Sequence, residues 1–290
     1  MIKLISLDLD GTLLNNERKI PEENRKAICR AKENGIEIVI STGSPYDLMP
    51  HDELGNLDIS YAITANGSAI YEYKTGQCIY EESIKTDEII PVLNFLLTKD
   101  MHIDIFIQGK AFCPFHTHSI VDKLEVPQSR KEYILNNRIW LKNTVSYIRE
   151  NNLSVQKITM NFYPDANGQL VDRAEVKAWL ENNGLFCLVS GGWGNLEITK
   201  KGVNKGKVLK ILCEMQNISI KDTMAVGDSL NDLDIIQTAG IGVAMGNSMQ
   251  EVIDAADYVT STNNACGVAE VIDRVLFTDP NGLCGTVLEV

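Results

Sequence analysis

The apolar positions of the chain fall into short runs separated by helix-length stretches of mixed polarity. Leu4, Ile5 and Leu7 form a run suited to a strand buried on both faces. Residues 36–40 and 61–64 repeat that pattern. Between the first two runs, Pro21 opens a predicted helix over 22–34, with Glu22 and Glu23 in its first turn and Gly35 as its stop. A weak helix after Pro45 is interrupted near Pro50, and residues 69–73 and 77–81 alternate around Thr75-Gly76 as a hairpin would. From about Ser83 the rhythm changes. A helix over 87–99 and a strand over 102–107 precede an irregular stretch rich in Pro, His and polar residues. Then come a helix over 141–150, a strand over 155–162, a turn at 164–168, a helix over 172–183 closed by Gly184, and a strand over 186–189. The Gly-rich residues 190–194 read as a hinge, after which the strand–helix alternation resumes. Residues 195–198 are extended, Asn204 caps a helix to about Gln216, and a strand over 223–226 runs into a helix over 230–237. Extended pieces at 241–244 and 258–260 and a helix over 266–277 complete the pattern, leaving 279–290 as a loosely ordered tail.

Strands alternating with helices imply an α/β fold with a doubly wound parallel sheet. The change of rhythm divides the chain into a core over 1–82 and 191–290 and an α+β unit over 83–190, about the size of a domain. Hydrophobic residues at 44% and charged residues at 23% suit a globular chain with an ample core. No apolar run approaches a membrane span, and the N-terminus enters a strand without a signal-peptide pattern, so cytoplasmic residence is expected. A net charge of −12 without a long basic run argues against nucleic acid or an anionic membrane as partner. The seven cysteines, odd in number and scattered through expected core segments, read as reduced buried thiols. Cys113, His116 and His118 supply three metal donors in one loop with no fourth, and read as part of a surface loop.

The chemistry gathers where predicted strands end. Asp8 and Asp10 leave the first strand at its carboxyl end, the edge where open α/β sheets bind ligands. Strand alternation puts both carboxylates on one side with Leu9 turned away, and Gly11 permits a sharp exit. Two like charges so close call for a cation between them or a proton on one. Thr42 follows the second strand; alone it reads as a strand-end hydroxyl capping the next segment. Asp228 and Asp232, four apart at a helix start, share a face; alone they read equally as capping plus first-turn acids. With Asp8 and Asp10 they make four carboxylates, a set for a hard, oxygen-liganded cation such as Mg²⁺. Lys205 in a helix first turn opposes the dipole at a cost of about 0.3–1 kcal/mol, which a nearby anion would offset. Alone it reads as one of several solvated lysines.

Asp8-Leu9-Asp10-Gly11-Thr12, Ser41-Thr42-Gly43, Asn204-Lys205-Gly206 and Gly227-Asp228-Ser229-Leu230-Asn231-Asp232 resemble, in order, the four motifs of the haloacid dehalogenase-like hydrolases. Asn66-Gly67 after the third strand and Met245-Gly246-Asn247 near the end are similar to the Cof-type branch, and place Asn66 and Asn247 close to substrate. The resemblance implies a core with an α/β cap inserted after the third strand, closing over the site to exclude water. It implies Mg²⁺ bound by Asp8, the Asp10 carbonyl and Asp228, with Asn231 and Asp232 supporting them. Asp8 would be the nucleophile that forms an aspartyl-phosphate, and Asp10 the proton carrier. Leu9 and Gly43 through their backbones, the Thr42 hydroxyl and Lys205 would hold the phosphoryl oxygens. The chain departs from the family pattern where Ser44 replaces an arginine after Thr-Gly and where Met49-Pro50-His51-Asp52 interrupts the following helix. The expected function is a Mg²⁺-dependent phosphatase of small phosphorylated metabolites, a sugar phosphate or phosphorylated cofactor, in a monomer or small homo-oligomer. A phosphoryl transferase or phosphomutase, and a non-catalytic phosphometabolite sensor, are the alternatives.

Overall fold

The computed structural model describes residues 1–190 and 194–277. The centre of the expected hinge, 191–193, and the expected loose tail lie outside the described residues. The chain divides into two units: Met1–Gly43, Pro50–Tyr80 and the chain from Asn204 onward form one, and Ser44–Met49 with Glu81–Val203 form the other. Its elements, in order, are β1 (Leu4–Leu7), α1 (Glu22–Glu33), β2 (Glu37–Ser41), α2 (His51–Leu54), β3 (Tyr61–Thr64), β4 (Ala69–Glu72) and β5 (Cys78–Glu81). Then follow α3 (Thr86–Leu96), β6 (His102–Ile107), β7 (Lys110–Pro114), α4 (Gln128–Asn136), β8 (Ile139–Leu141) and α5 (Thr144–Glu150). Next are β9 (Lys157–Asn161), α6 (Arg173–Asn183), β10 (Phe186–Ser190), β11 (Leu196–Lys200) and α7 (Lys205–Met215). The chain closes with β12 (Thr223–Gly227), α8 (Leu233–Thr238), β13 (Ile241–Ala244), α9 (Gln250–Ala255), β14 (Tyr258–Val259) and α10 (Gly267–Phe277).

The first sheet runs β14-β13-β12-β1-β2-β3-β4-β5, parallel from β14 through β3 and antiparallel from β3 to β4. Leu4, Val39, Ile63 and Ala225 pack into one cluster with Val208, Leu209 and Leu212 of α7 and Ile235 and Ile236 of α8. Ile5, Ile38 and Ile40, of the opposite parity, are fully buried too, which is why these strands read as continuous apolar runs. α1 packs on α10, fastened by Arg30 to Asp273 at 2.6 Å. β1 lies beside β12, and the chain leaves them toward opposite sides of the sheet. Their carboxyl ends therefore flank a topological switch point, where loops from both halves converge.

The second sheet runs β10-β11-β9-β6-β7-β8 and is antiparallel except between β7 and β8. Ile103, Ile105 and Ile107 of β6, Ile158 and Met160 of β9, and Leu196 and Ile198 of β11 join the apolar cluster with α3, α5 and α6. The opposite parity carries His102, Asp104, Lys157, Thr159 and Glu197.

Several expectations need correction. Residues 196–200, expected in the core after the hinge, form a strand of this second sheet, because Leu196 and Ile198 complete its apolar face. The irregular stretch contains β7, α4 and β8, and the helix expected over 141–150 is α5 alone, preceded by β8. Cys29 and Cys78 are exposed, whereas Cys113 and Cys213 are buried; all six cysteines described are free. Among the described residues, no helix is long and apolar enough to cross a membrane.

Candidate active site

The end of β1 is fixed by its neighbour: Asp8 N–H donates to the Val226 carbonyl of β12 at 3.0 Å. Beyond Leu7 the chain coils, with Leu13 N–H bonded to the Asp8 carbonyl and the Thr12 and Leu14 N–H groups to the Leu9 carbonyl. Alternation therefore stops before the carboxylates. Asp8 is buried, the Leu9 side chain is buried, and the Asp10 side chain is 56% exposed and accepts from Arg18 Nη1 at 2.7 Å. Asp8 and Asp10 thus enter different surroundings, one buried and one exposed, because the turn begins at Asp8.

Lys205 comes to Asp8 from the first turn of α7. Asn204 caps that helix, its Oδ1 accepting from Lys207 N–H at 2.7 Å. The turn at Asn66-Gly67 presses against the same point. A Cβ on Gly67, whose φ is +99°, would lie 2.5 Å from the Asn204 carbonyl oxygen. Lys205 is fully buried, and its Nζ donates to Asp232 Oδ1 at 2.6 Å, Asp8 Oδ1 at 2.8 Å and the Ser41 carbonyl at 3.0 Å. Three donors meet three acceptors, so the ammonium is satisfied without water.

Asp228 follows β12. Its Oδ1 accepts from Thr12 Oγ1 at 3.1 Å, and a Cβ on Gly11, where φ is +82°, would sit 2.5 Å from its Oδ2. Gly11 is thus required for close approach as well as for the turn. Asp232 Oδ2 takes the N–H groups of Asp228 and Ser229 at 3.3 and 3.2 Å, forming a capping box with Ser229 while Oδ1 faces Lys205. Of this pair, Asp232 caps and Asp228 does not. Thr42 is buried, with its N–H bonded to the Ile63 carbonyl and its carbonyl to Asn66 N–H. Asn66 Oδ1 accepts from Asn231 Nδ2 at 3.1 Å, and Asn247 Nδ2 donates to the Gly11 carbonyl at 2.8 Å. Gly43, the residue after Thr42, ends the first stretch of this unit.

Burial and the neighbouring Asp232 and Asp228 push Asp8 well above the usual carboxylate range, against the pull of Lys205. Burial, then Asp232, raises Asp228 to about 7. Burial alone would lower Lys205, but Asp232 and Asp8 carry it above its ordinary range. Asp8, Asp228 and Asp232 place ligand atoms all within 4.8 Å of one another. Ionised, the three carboxylates against one ammonium leave two negative charges, which a divalent cation would cancel; the all-oxygen donor set fits Mg²⁺. The arrangement can bind such a cation and hold one buried carboxylate, Asp8, at a fixed point beside it.

Sequence reasoning missed four supports. They are the Ser41 carbonyl, Thr12 as a holder of Asp228, Asp232 as a partner of Lys205, and Asn263. The last donates its N–H to Asn247 Oδ1 at 2.8 Å and Nδ2 to the Leu14 carbonyl at 3.0 Å, bracing the loop after β1. No sequence spacing announces a bond from residue 263 to residue 14. In the second unit, Cys113 is buried beside His102 and Asp104, not grouped with His116 and His118. Arg138 and Asn161 already bond the Asp104 carboxylate, and Thr117 bonds His102, so that cluster is a closed polar network.

A family model described as haloacid dehalogenase-like hydrolase matches residues 5–272. Phosphatase YwpJ of Bacillus subtilis is 30% identical over 95% of this chain and all of its own. A 5-amino-6-(5-phospho-D-ribitylamino)uracil phosphatase of the same organism, YcsE, is 34% identical over 93% of this chain and 94% of its own. A solved haloacid dehalogenase-like hydrolase from B. subtilis superposes with a TM-score of 0.81 at 29% identity, over 94% of this chain and all of that one.

Proposed function

The chain belongs to the haloacid dehalogenase-like hydrolases and is a phosphatase of that family, and we propose that it hydrolyses small phosphorylated metabolites with Mg²⁺ through an aspartyl-phosphate on Asp8. The observation that supports this reading is the cluster of buried Asp8, Asp232 and Lys205 with half-buried Asp228 at the carboxyl ends of β1 and β12. The carboxylates of Asp8 and Asp228, with the Asp10 carbonyl, would hold the cation, whose charge offsets that of the phosphoryl oxygens.

One Asp8 carboxylate oxygen attacks phosphorus in line, the P–O bond to the alcohol breaks, and Asp10 gives the leaving oxygen its proton. Asp10 then takes a proton from water as that water attacks the aspartyl-phosphate, releasing phosphate and restoring Asp8. Thr42 and backbone N–H groups near Leu9 and Gly43 receive the phosphoryl oxygens. All three Lys205 donors are in use, so the lysine holds Asp8 in place and favours its ionised form against the pull of burial. It can reach a phosphoryl oxygen by giving up the Asp8 bond when that carboxylate is phosphorylated. The names of the relatives put a phosphorylated ribityl compound first among candidate substrates.

The test is phosphate release from a panel of such monoesters by the full chain, with Mg²⁺ or EDTA, for wild type and Asp8→Asn. Mg²⁺-dependent release that the variant abolishes is expected. Asp8→Asn turning over at the wild-type rate would overturn the nucleophile, phosphoryl transfer to a second alcohol without free phosphate would point to a transferase, and binding without turnover across the panel to a sensor.

A further inference from the structure

Immediately after Thr42-Gly43 the chain leaves the first unit, and residues Ser44–Met49 belong to the second before the first resumes at Pro50. Two hydrogen bonds fasten this segment. Asp47 N–H donates to the Gly109 carbonyl at 2.9 Å, and the Tyr133 hydroxyl, from α4, donates to the Leu48 carbonyl at 3.1 Å. Gly109 and Gln108 form the turn between β6 and β7, both at positive φ, as a tight hairpin requires. Gly109 N–H continues the chain of bonds to Gln156 Oε1 at 3.1 Å, and Gln156 Nε2 donates to Glu81 Oε2 at 3.0 Å. Gln156 is fully buried, where an unmade bond is costly.

The chain thus passes between units four times, after Gly43, Met49, Tyr80 and Val203. Gln156 ties the residue that opens the third passage, Glu81, to the turn that holds the 44–49 segment. Thr42 is fixed on its own side by backbone bonds to Ile63 and Asn66. On the other side only Gly43 separates it from the fastened segment. Two residues span about 7 Å of extended chain, too little slack to absorb a shift of that segment.

We propose that residues 44–49 are a strap through which the second unit sets the position of Thr42, with Tyr133 and Gln156 as positioning residues for phosphoryl binding. The role given to Thr42 rests on the phosphatase reading above. The strap makes Thr42 answer to the unit inserted into the chain, although Thr42 itself lies on a core strand end.

Tyr133→Phe tests this, because it keeps the ring beside Arg130 and Arg138 and removes only the hydroxyl. Amide hydrogen exchange at 44–48 is expected to accelerate in the variant. Inhibition by inorganic phosphate is expected to weaken by about two- to tenfold, the range of one lost hydrogen bond, with kcat changed less than KM. That weakening is expected to vanish in a Thr42→Ala background, which a general loss of structure would not do. Gln156→Glu keeps the acceptor for Gly109, loses the donor to Glu81, and is expected to move both readouts the same way. Unchanged exchange at 44–48 overturns the strap, as does faster exchange with unaltered phosphate inhibition or an effect that persists undiminished without Thr42. Wild type showing neither turnover nor phosphate inhibition overturns the phosphatase reading instead, and the purpose of the strap with it.

Discussion

Lys205→Met replaces a fully buried ammonium with an uncharged side chain of similar length, so the change removes charge and three donors but little volume. Asp8, Asp232 and the Ser41 carbonyl each lose a partner at 2.6–3.0 Å. Removing one member of a buried ion pair costs about 3–5 kcal/mol, because the other charge stays buried without compensation. The carboxylates left behind can escape by taking up protons, and this gives the loss a definite pH dependence. Asp8 is already raised by burial and by Asp232; without Lys205 it rises further. A carboxylate raised in the native state contributes stability that is fully present below its unfolded value and lost as pH climbs through its native one. The deficit of Lys205→Met relative to wild type is therefore expected to reach about 3–5 kcal/mol at pH 8 and to shrink toward pH 5. Trp140 and Trp179, the tryptophans among the described residues, fall in the second unit, so their fluorescence would report the wrong half of the chain. Amide hydrogen exchange at β1 and β12 in EDTA reads the first unit. A loss under about 1 kcal/mol at pH 8, the scale of an exposed pair, or a deficit that grows toward pH 5, would refute the buried-cluster reasoning.

Raised Asp228 and Asp8 together make the metal-free protein lose stability as pH rises. For Asp228 the window runs from 3.8 to about 7, at no more than about 1.4 kcal/mol per pH unit for each group. Mg²⁺ is accordingly expected to raise the melting temperature more at pH 8 than at pH 5.5, and equal shifts in calorimetry would count against these carboxylates as its site. Gly11→Ala forces a Cβ to 2.5 Å from Asp228 Oδ2 at a φ of +82°. It is expected to cost about 1–3 kcal/mol and to weaken Mg²⁺ binding in titration calorimetry; wild-type affinity would show that Asp228 does not need its present position. In the second unit, burial would raise Asp104, but Arg138 and His102 hold it well below the carboxylate range. Its stabilising contribution is therefore present above the unfolded value and lost only in strong acid. Asp104→Asn is expected to lower tryptophan-monitored stability by about 3–5 kcal/mol at pH 7 while leaving Mg²⁺ affinity unchanged, and a neutral result would mean that Arg138 finds another partner.

What was legible in the sequence was what local pattern controls. Apolar runs announced β1, β2, β3 and β12 because both faces of those strands are covered, and Asn204 announced α7 because its cap is made three residues away. α4 went unseen because Ile134 is its one fully buried residue, so burial leaves no helical period to detect. β11 was placed with the wrong sheet because Leu196 and Ile198 look the same whichever core they join. The bonds from Lys205 to Asp8 and from Asn263 to Leu14 span nearly the whole chain, and no window of sequence holds both ends. Asp8 and Asp10 show most plainly where pattern gives way to packing. Alternation assumes a strand, and the strand ends at Leu7, so the two carboxylates enter different media: Asp8 buried against Lys205, Asp10 more than half exposed beside Arg18. Two carboxylates side by side would be coupled, the charge on one holding the proton on the other. Apart, they suit unequal work. The proposed nucleophile needs a fixed position and a counterion, which burial against Lys205 supplies. The proposed proton carrier must exchange protons with water in each cycle, which an exposed carboxylate in a surface pair can do.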